Sequence, residues 1–300
     1  RRDFTINTLS CSLEGDIYDP LTGLDDLGQR WVRFVGLAKD RIEEDLLRVL
    51  RFFRFYASYG RPPADVDALA ACRAAAPRIG ELSGDRVRKE LFRILLAPNP
   101  ADTIVLMRGE KVLDTLLPEA GDVGRLRIMG WLETNAMRMD SVRADALRRL
   151  AALLDASIED TTEVARRLNL SNADARRLAA IARPSFTVGP DLDGPGRRRL
   201  LQHQDAETVR DVALLTWAAA RSIEPRSAAG QTEGWQMLLH EAEDWTPHVL
   251  PIDGDDVLAL GIAPGPRVGE LLGAVGKWWE DGDFTADRDA CLAALRQRAG

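Results

Sequence analysis

The stretch from Lys39 to Gly60, KDRIEEDLLRVLRFFRFYASYG, constrains this chain more than any other. Read as one helix, it spaces Ile42, Leu46, Val49, Leu50, Phe53 and Ala57 by threes and fours, giving an apolar stripe that demands burial. Arg41, Glu44, Asp45, Arg48 and Arg51 fall on the opposite side, with Arg54 near its edge. Asp40 is placed to cap the N-terminus, and Gly60 followed by Pro62-Pro63 ends the helix. Taken alone, Glu44 four positions before Arg48 is a solvated pair that contributes a few tenths of a kcal/mol. Donor and acceptor chemistry gives a second reading. A carboxylate such as Asp45 accepts from the exocyclic amino group of cytosine or adenine, and an arginine such as Arg48 donates to the neighbouring ring nitrogen. Guanine and uracil carry a carbonyl where the carboxylate needs a donor. A helix of this kind is a protein template for C and A.

The 300 residues suggest about two domains. Hydrophobic content of 45% and charged content of 29% belong to a globular protein, and no apolar run is long enough to span a bilayer. Three widely spaced cysteines (Cys11, Cys72 and Cys291) form neither a disulfide framework nor a metal-ligand cluster, and fit a reducing cytoplasmic setting. A net charge of −7 argues against indiscriminate nucleic-acid binding but leaves room for a local basic groove, because the arginines cluster. The opening RRDFTINTL is neither a signal peptide nor an initiator start, so an upstream portion is expected.

In chain order, Leu9, Cys11 and Leu13 alternate with polar residues, Glu14-Gly15 turns, and Ile17-Tyr18 returns as a short hairpin. Before it, Arg1-Arg2-Asp3 reads either as a charged terminus or as a grip in which guanidinium forks hold phosphate and the carboxylate takes a ribose hydroxyl. Asp19 to Leu27 has the form D-x-x-x-G-x-x-D-L, a structured turn, and Trp31 to Val35 is predicted as a strand. From Ala64 onward the pattern is helical. Segments are expected at Ala64–Ala76, Arg86–Leu96, Ala101–Leu116, Arg125–Met139, Asp145–Asp155, Ile158–Leu168, Asn172–Ala182 and Asp205–Ser222. Arg86 and Glu90, four apart, are expected to pair and brace their helix. The arginine runs at 148–149, 166–167, 176–177 and 197–199 are each a solvated face, or together a track along an RNA backbone. Near the end, a short helix, a Gly265-Pro266 turn and a second helix through Trp279 follow Pro251.

RRDFTIN, the D-x-x-x-G-x-x-D-L turn, EDLLRVLRFFRF and the Arg86-to-Glu90 helix occur in this order and at close spacing. Together they resemble the class II CCA-adding tRNA nucleotidyltransferases and their bacterial poly(A) polymerase relatives. The specific motifs cover residues 1–96, and PIDGDDVLALGIAPGPRVGELL at 251–272 is similar to the family's bacterial C-terminal signature. The resemblance implies that Arg2 holds phosphate and Asp3 the ribose, with Asn7 in support. It implies a nucleotide-selecting motif at Glu44, Asp45 and Arg48, further nucleotide contacts from Arg51 and Arg54, and a helix-stabilising role for Arg86 and Glu90. The D-x-x-x-G-x-x-D-L stretch would be the flexible element between head and neck.

The implied fold is mainly α: residues 1–38 as the C-terminal remnant of an α/β nucleotidyltransferase palm, 39–120 as a helical neck, and 121–300 as helical body and tail. The implied activity is magnesium-assisted addition of C, C and A to the tRNA 3′ end from CTP and ATP. The family holds its Mg2+ on paired aspartates behind a glycine-rich turn, and that motif is expected upstream of Arg1. Asp65-Val66-Asp67, Asp191-Leu192-Asp193 and Asp281-Gly282-Asp283 have the bare spacing, without the turn, and are read as caps and loops. The given chain is therefore expected to lack activity by itself. The alternatives are a poly(A) polymerase of the same superfamily and a non-catalytic helical RNA-binding protein.

Overall fold

The computed structural model describes residues 2–136, 139, 142–155, 157–224 and 229–300. Among them the chain is mainly α, with seventeen α-helices and one two-stranded sheet. The expected hairpin is present, pairing Ser10 with Tyr18 and Cys11 with Ile17 in antiparallel register (β1, Ser10–Cys11; β2, Ile17–Tyr18). Gly15 turns it at φ +97°, a conformation that suits glycine. The strand predicted at Trp31 to Val35 is reduced to one bridge, Phe4 to Phe34.

The D-x-x-x-G-x-x-D-L segment folds into a short helix, α1 (Gly23–Gly28). The Asp19 carboxylate accepts from the amides of Gly23 (2.7 Å) and Leu24 (2.9 Å) at its start. A Cβ on Gly23 would lie 2.5 Å from the Thr5 carbonyl oxygen, so only glycine allows this approach. Asp26, 3% exposed, accepts from Thr5 Oγ1 (2.5 Å) and from Arg33 Nε (2.7 Å). The motif thus fastens the segment after Asp3.

The single helix expected from Lys39 to Gly60 is two: α2 (Ala38–Glu44) and α3 (Arg48–Tyr59). Asp45 breaks it by adopting an extended backbone (φ −155°, ψ 107°), and its side chain accepts from Leu47 N at 3.1 Å. Aspartate competes for nearby amides in this way, which is why it favours caps over helix interiors. Asp40 lies inside the first turn of α2 and forms no cap. The apolar stripe survives the break: Ile42, Leu46, Val49, Leu50 and Phe53 are all buried.

Next come α4 (Val66–Ala75, capped by Asp65), α5 (Gly84–Leu95), α6 (Pro100–Gly109) and α7 (Val112–Leu116). One helix was expected over the last two. It is interrupted where Lys111 is left-handed at φ +62° and the buried Glu110 turns to Arg73 at 2.9 Å. Then follow α8 (Gly124–Trp131), a π-helical segment Leu132–Ala136, α9 (Ala146–Leu153), α10 (Ile158–Arg167) and α11 (Asn172–Ala182). The end of the helix predicted at Arg125–Met139 lies partly outside the described residues.

The chain divides into two compact units, Arg1–Thr187 with Leu214–Ser227 and Val188–Ala213 with Ala228–Gly300. In the first, α5 packs against α3, α6 and α9. The second contains α12 (Gly194–His203), α14 (Ala229–Glu243), α15 (Gly254–Leu258), α16 (Pro266–Asp281) and α17 (Arg288–Ala299), and the long helix α13 (Ala206–Ile223) carries residues of both units. The second unit's C-terminal core gathers Val257, Leu271, Val275, Trp279, Cys291 and Leu295. Trp279 Nε1 there donates to the Ala286 carbonyl at 2.9 Å.

The doublet Arg148-Arg149 is not a solvated face. Both residues are buried, at 2% and 1% exposure. Each pairs with the buried Glu133, Arg148 Nη2 at 2.7 Å and Arg149 Nε at 2.5 Å. Arg149 Nη1 also donates to the carbonyls of Leu95 (2.6 Å) and Ala97 (3.0 Å), capping the C-terminus of α5. Removing the one carboxylate strands two buried guanidinium groups. Glu133→Ala is therefore expected to lower stability by about 3–5 kcal/mol, measured by urea unfolding. Removing the exposed Glu163, paired with Arg166, should leave the urea midpoint close to that of the wild type.

Candidate nucleotide site on the neck helices

Phe4 anchors the first residues to α3. Its ring is fully buried, 4.7 Å from the Phe34 ring and 4.9 Å from that of Phe55. The backbone continues the clamp, with Thr5 N donating to the Arg33 carbonyl and Val35 N to that of Asp3. Asp3 is thereby pressed against α3, at 4% exposure. Its Oδ1 accepts from Phe4 N (3.1 Å) and Asn7 Nδ2 (2.9 Å) and its Oδ2 from Arg51 Nε (2.5 Å), with Arg51 Nη2 in ionic contact at 2.5 Å. Burial opposes ionisation of Asp3. The hydrogen bonds from Asn7 and Arg51 and the charge on Arg51 outweigh it, so the carboxyl titrates below its ordinary 3.8. Arg2 is exposed and makes no hydrogen bond or ion pair with the described residues; Arg1 lies outside them.

The break between α2 and α3 holds the second group. Arg48 N donates to the Asp45 carbonyl at 3.0 Å, which sets the two side chains on one turn. Glu44 accepts from Arg41 Nη1 (2.8 Å) and Arg48 Nη1 (2.5 Å), and these hydrogen bonds, that of Arg48 first, hold it below the ordinary glutamate range. Arg48 Nη1 donates to the Arg41 carbonyl as well, at 2.7 Å. Nε and Nη2 of Arg48 have no partner among the described residues. The Asp45 carboxylate, 36% exposed, takes two contacts from Arg86 Nη2, at 2.8 and 3.0 Å.

Arg86 and Glu90 therefore do not pair with each other. Arg86 goes to Asp45, while Glu90, buried at 5%, faces Arg54 Nε at 2.6 Å. That contact lies off the N–H line, so it is ionic and leaves both atoms without a directional hydrogen bond. Arg54 also lies over the Phe55 ring at 4.3 Å. The difference from the expected i,i+4 pair arises because α3 packs on α5, offering partners of opposite charge across the interface.

The structure thus brings Asp3, Asn7 and Arg51 into one cluster, Glu44 and Arg48 into a second, Asp45 with Arg86 into a third, and Arg54 with Glu90 into a fourth. Arg41, which ties Glu44 and donates to the Val35 carbonyl at 2.9 Å, was placed on the charged face but not among the site residues, although its spacing of three before Glu44 was visible. A cavity of about 1030 Å3 opens between the 33–39 segment, α2 and α4, and none of the eight expected nucleotide-site residues lines it. Its lining sets alanines of α2 and α4 beside charged side chains, among them Arg33, Lys39, Asp40, Asp67 and Arg78.

The aspartate pairs serve as helix caps and ion-pair partners. Asp65 caps α4, Asp193 caps α12 and Asp283 is held by Arg198. Among the described residues no three His, Cys, Asp or Glu side chains converge to hold an ion, and no helix is long and apolar enough to cross a membrane. The other arginine runs are largely committed: Arg167 to Glu119, Arg177 to Asp145, Arg197 to Glu241 and Arg198 to Asp283.

A family model described as "Probable RNA and SrmB-binding site of polymerase A" matches residues 65–122. The chain is 28% identical over 305 residues to the mitochondrial CCA tRNA nucleotidyltransferase 1 of Danio rerio, aligning 99% of itself with 66% of that protein. It is 29% identical over 320 residues to the A-adding tRNA nucleotidyltransferase of Deinococcus radiodurans, aligning 92% of itself with 73% of that protein. The solved CCA-adding enzyme of Bacillus stearothermophilus in complex with CTP shares its fold, with a TM-score of 0.71 at 24% identity, over 99% of this chain and 72% of that one. The chain spans just under two thirds of the length of the vertebrate relatives it matches.

The lowered pKa of Asp3 makes its bonds to Arg51 and Asn7 depend on pH. A depressed native pKa contributes stability above the ordinary value of 3.8, and this is lost as pH falls through the native one. Asp3→Asn should cost about 2 kcal/mol at pH 6, with urea midpoints of variant and wild type converging as pH drops below that value. A gap that stays constant down to pH 2 would contradict the charge-based account.

Proposed function

We propose, from this chain's membership of the CCA-adding tRNA nucleotidyltransferase family, that it carries the nucleotide-selecting part of an enzyme that adds C, C and A to tRNA 3′ ends from CTP and ATP without a nucleic-acid template. The observation that carries this reading is the turn between α2 and α3. There Asp45 keeps acceptor capacity beyond its contacts to Arg86 and Leu47, and Arg48 keeps three N–H donors without a partner. An acceptor and a donor fork on one turn match the amino group and ring nitrogen shared by cytosine and adenine. The carbonyl of guanine or uracil would face the carboxylate and leave a desolvated acceptor unpaired.

The other residues take supporting tasks in this proposal. Arg2, exposed and unengaged, binds triphosphate. Asp3 and Asn7 act with Arg51 as a unit beside it, Asp3 reaching a ribose hydroxyl when Arg51 yields one of its two contacts. Arg41 and Glu44 fix the Arg48 fork, and Arg54 and Glu90 lock α3 to α5. Magnesium belongs to nucleotidyl transfer of this class, but these residues do not fit it, and no step of the transfer is assigned to them. The partners are tRNA, CTP and ATP. We place the protein in the cytoplasm on its three unpaired cysteines, one of them exposed, although several relatives are mitochondrial.

One observation favours a narrower reading. The similarity to an A-adding enzyme is as strong, by identity, as that to enzymes named for adding CCA. Steady-state incorporation by the complete protein, on tRNA ending before CCA and on tRNA ending in CC, separates the two. Asp45→Ala and Arg48→Ala should each cut use of CTP and ATP together by at least about tenfold, since one lost charge-assisted hydrogen bond costs roughly 1.5–3 kcal/mol. Loss confined to one nucleotide would refute a shared template. Wild-type addition of A alone would identify the A-adding activity, and long A tracts would identify a poly(A) polymerase.

A further inference from the structure

The exposed face of α5 carries two cations that no described residue neutralises. Arg86, Lys89 and Arg93 recur at i, i+3 and i+7, so they lie along one side of the helix. All three are exposed. The two acids of the same helix are committed elsewhere. Asp85 pairs with Arg88 at 2.8 Å and accepts from Asn169 at 3.1 Å, and Glu90 is buried against Arg54. Arg86 reaches over to Asp45, but Lys89 and Arg93 have no hydrogen-bond or ion-pair partner among the described residues. In a chain of net charge −7, two adjacent unneutralised cations beside the selecting turn are not a consequence of overall basicity.

We propose that Lys89 and Arg93, continuing from Arg86, form a track for the phosphodiester backbone of RNA next to its 3′ end. This rests on the reading of the turn at Asp45 as the nucleotide site. Seven residues of helix rise by about 10 Å, far enough for its cations to meet successive phosphates of one strand. The track begins at Arg86, which is bonded to Asp45, so a strand held along α5 would present its terminal nucleotide near the place where the incoming base is read. Helix α5 also lies wholly within residues 65–122, which match the family model whose description names RNA binding. That description names a protein partner too. The charge favours RNA, because cations without acids suit phosphate, whereas a protein-docking face would need apolar area that Lys89 and Arg93 do not supply.

The test uses Lys89→Gln with Arg93→Gln in the complete protein, keeping Arg86 so that Asp45 stays held, and the charge-preserving pair Lys89→Arg with Arg93→Lys. Dissociation constants are measured for tRNA lacking CCA and for an A-rich single strand between 50 and 300 mM salt, alongside CTP affinity by equilibrium dialysis. The neutral pair should weaken RNA binding about tenfold at low salt and reduce the slope of log K against log salt by about 1.5–2. The charge-preserving pair should behave as wild type, and CTP affinity should stay within about twofold in both. Unchanged RNA affinity and salt slope in the neutral pair would overturn the track, including in favour of a protein-docking face, even if the wild type extends tRNA normally. A reduced slope for the neutral pair on the A-rich strand, together with a wild type that extends no tRNA, would uphold the track while refuting the proposed activity.

Discussion

The guanidinium of Arg149 is the point on which the candidate site depends. Buried against Glu133, it donates to the Leu95 and Ala97 carbonyls and so fixes the C-terminus of α5. Helix α5 in turn carries the two side chains that fix the neighbouring α3. Arg86 holds Asp45 at the break before α3, and Glu90 faces Arg54 within it. A buried ion group of this kind adds little net stability over an apolar replacement, because desolvation offsets much of the attraction. What it supplies is position: one carboxylate holds two guanidinium groups, and a shift of α5 would break the bonds that Arg149 makes to its C-terminal carbonyls.

The same economy governs the residues proposed to meet the nucleotide. Asp3, Glu44 and Asp45 are all engaged by arginines of the chain, yet to different degrees. Asp3 is nearly inaccessible and held by three hydrogen bonds and the Arg51 ion pair, so Arg51 must give way before it can meet a ligand. Asp45 is partly exposed and only partly satisfied, which suits one that meets a ligand. The break in the helix is what allows the difference. In a continuous helix Asp45 and Arg48 would sit three apart on a regular face. With Asp45 extended, its backbone carbonyl caps Arg48 and its carboxylate faces both Leu47 N and Arg86.

Much of this was legible in the sequence. The hairpin at Ser10 to Tyr18, the α3 stripe and the mainly α architecture follow from periodicity and turn chemistry, signals local to a few residues. The positions of Asp45 and Arg48 followed from motif resemblance. Three things were not legible. The break at Asp45 is local, an aspartate turning to the Leu47 amide inside an otherwise unbroken apolar stripe. The exchange of partners by Arg86 and Glu90 and the burial of Arg148 and Arg149 are decided by residues more than a dozen positions away. Arg148 and Arg149 carry the composition of a solvated face, and only Glu133 reveals otherwise. Helix α14 was missed because Ala229–Glu243 mixes glycine, tryptophan and histidine without a clean apolar stripe.

A crystal structure of the complete protein with CTP tests the central claim most directly. The predicted result is a cytosine whose amino group donates to the Asp45 carboxylate while Arg48, through Nε or Nη2, donates to the ring edge, with Arg86 still against Asp45. A cytosine bound away from both side chains, with the Glu44–Arg48 and Asp45–Arg86 contacts closed as they are here, would contradict it.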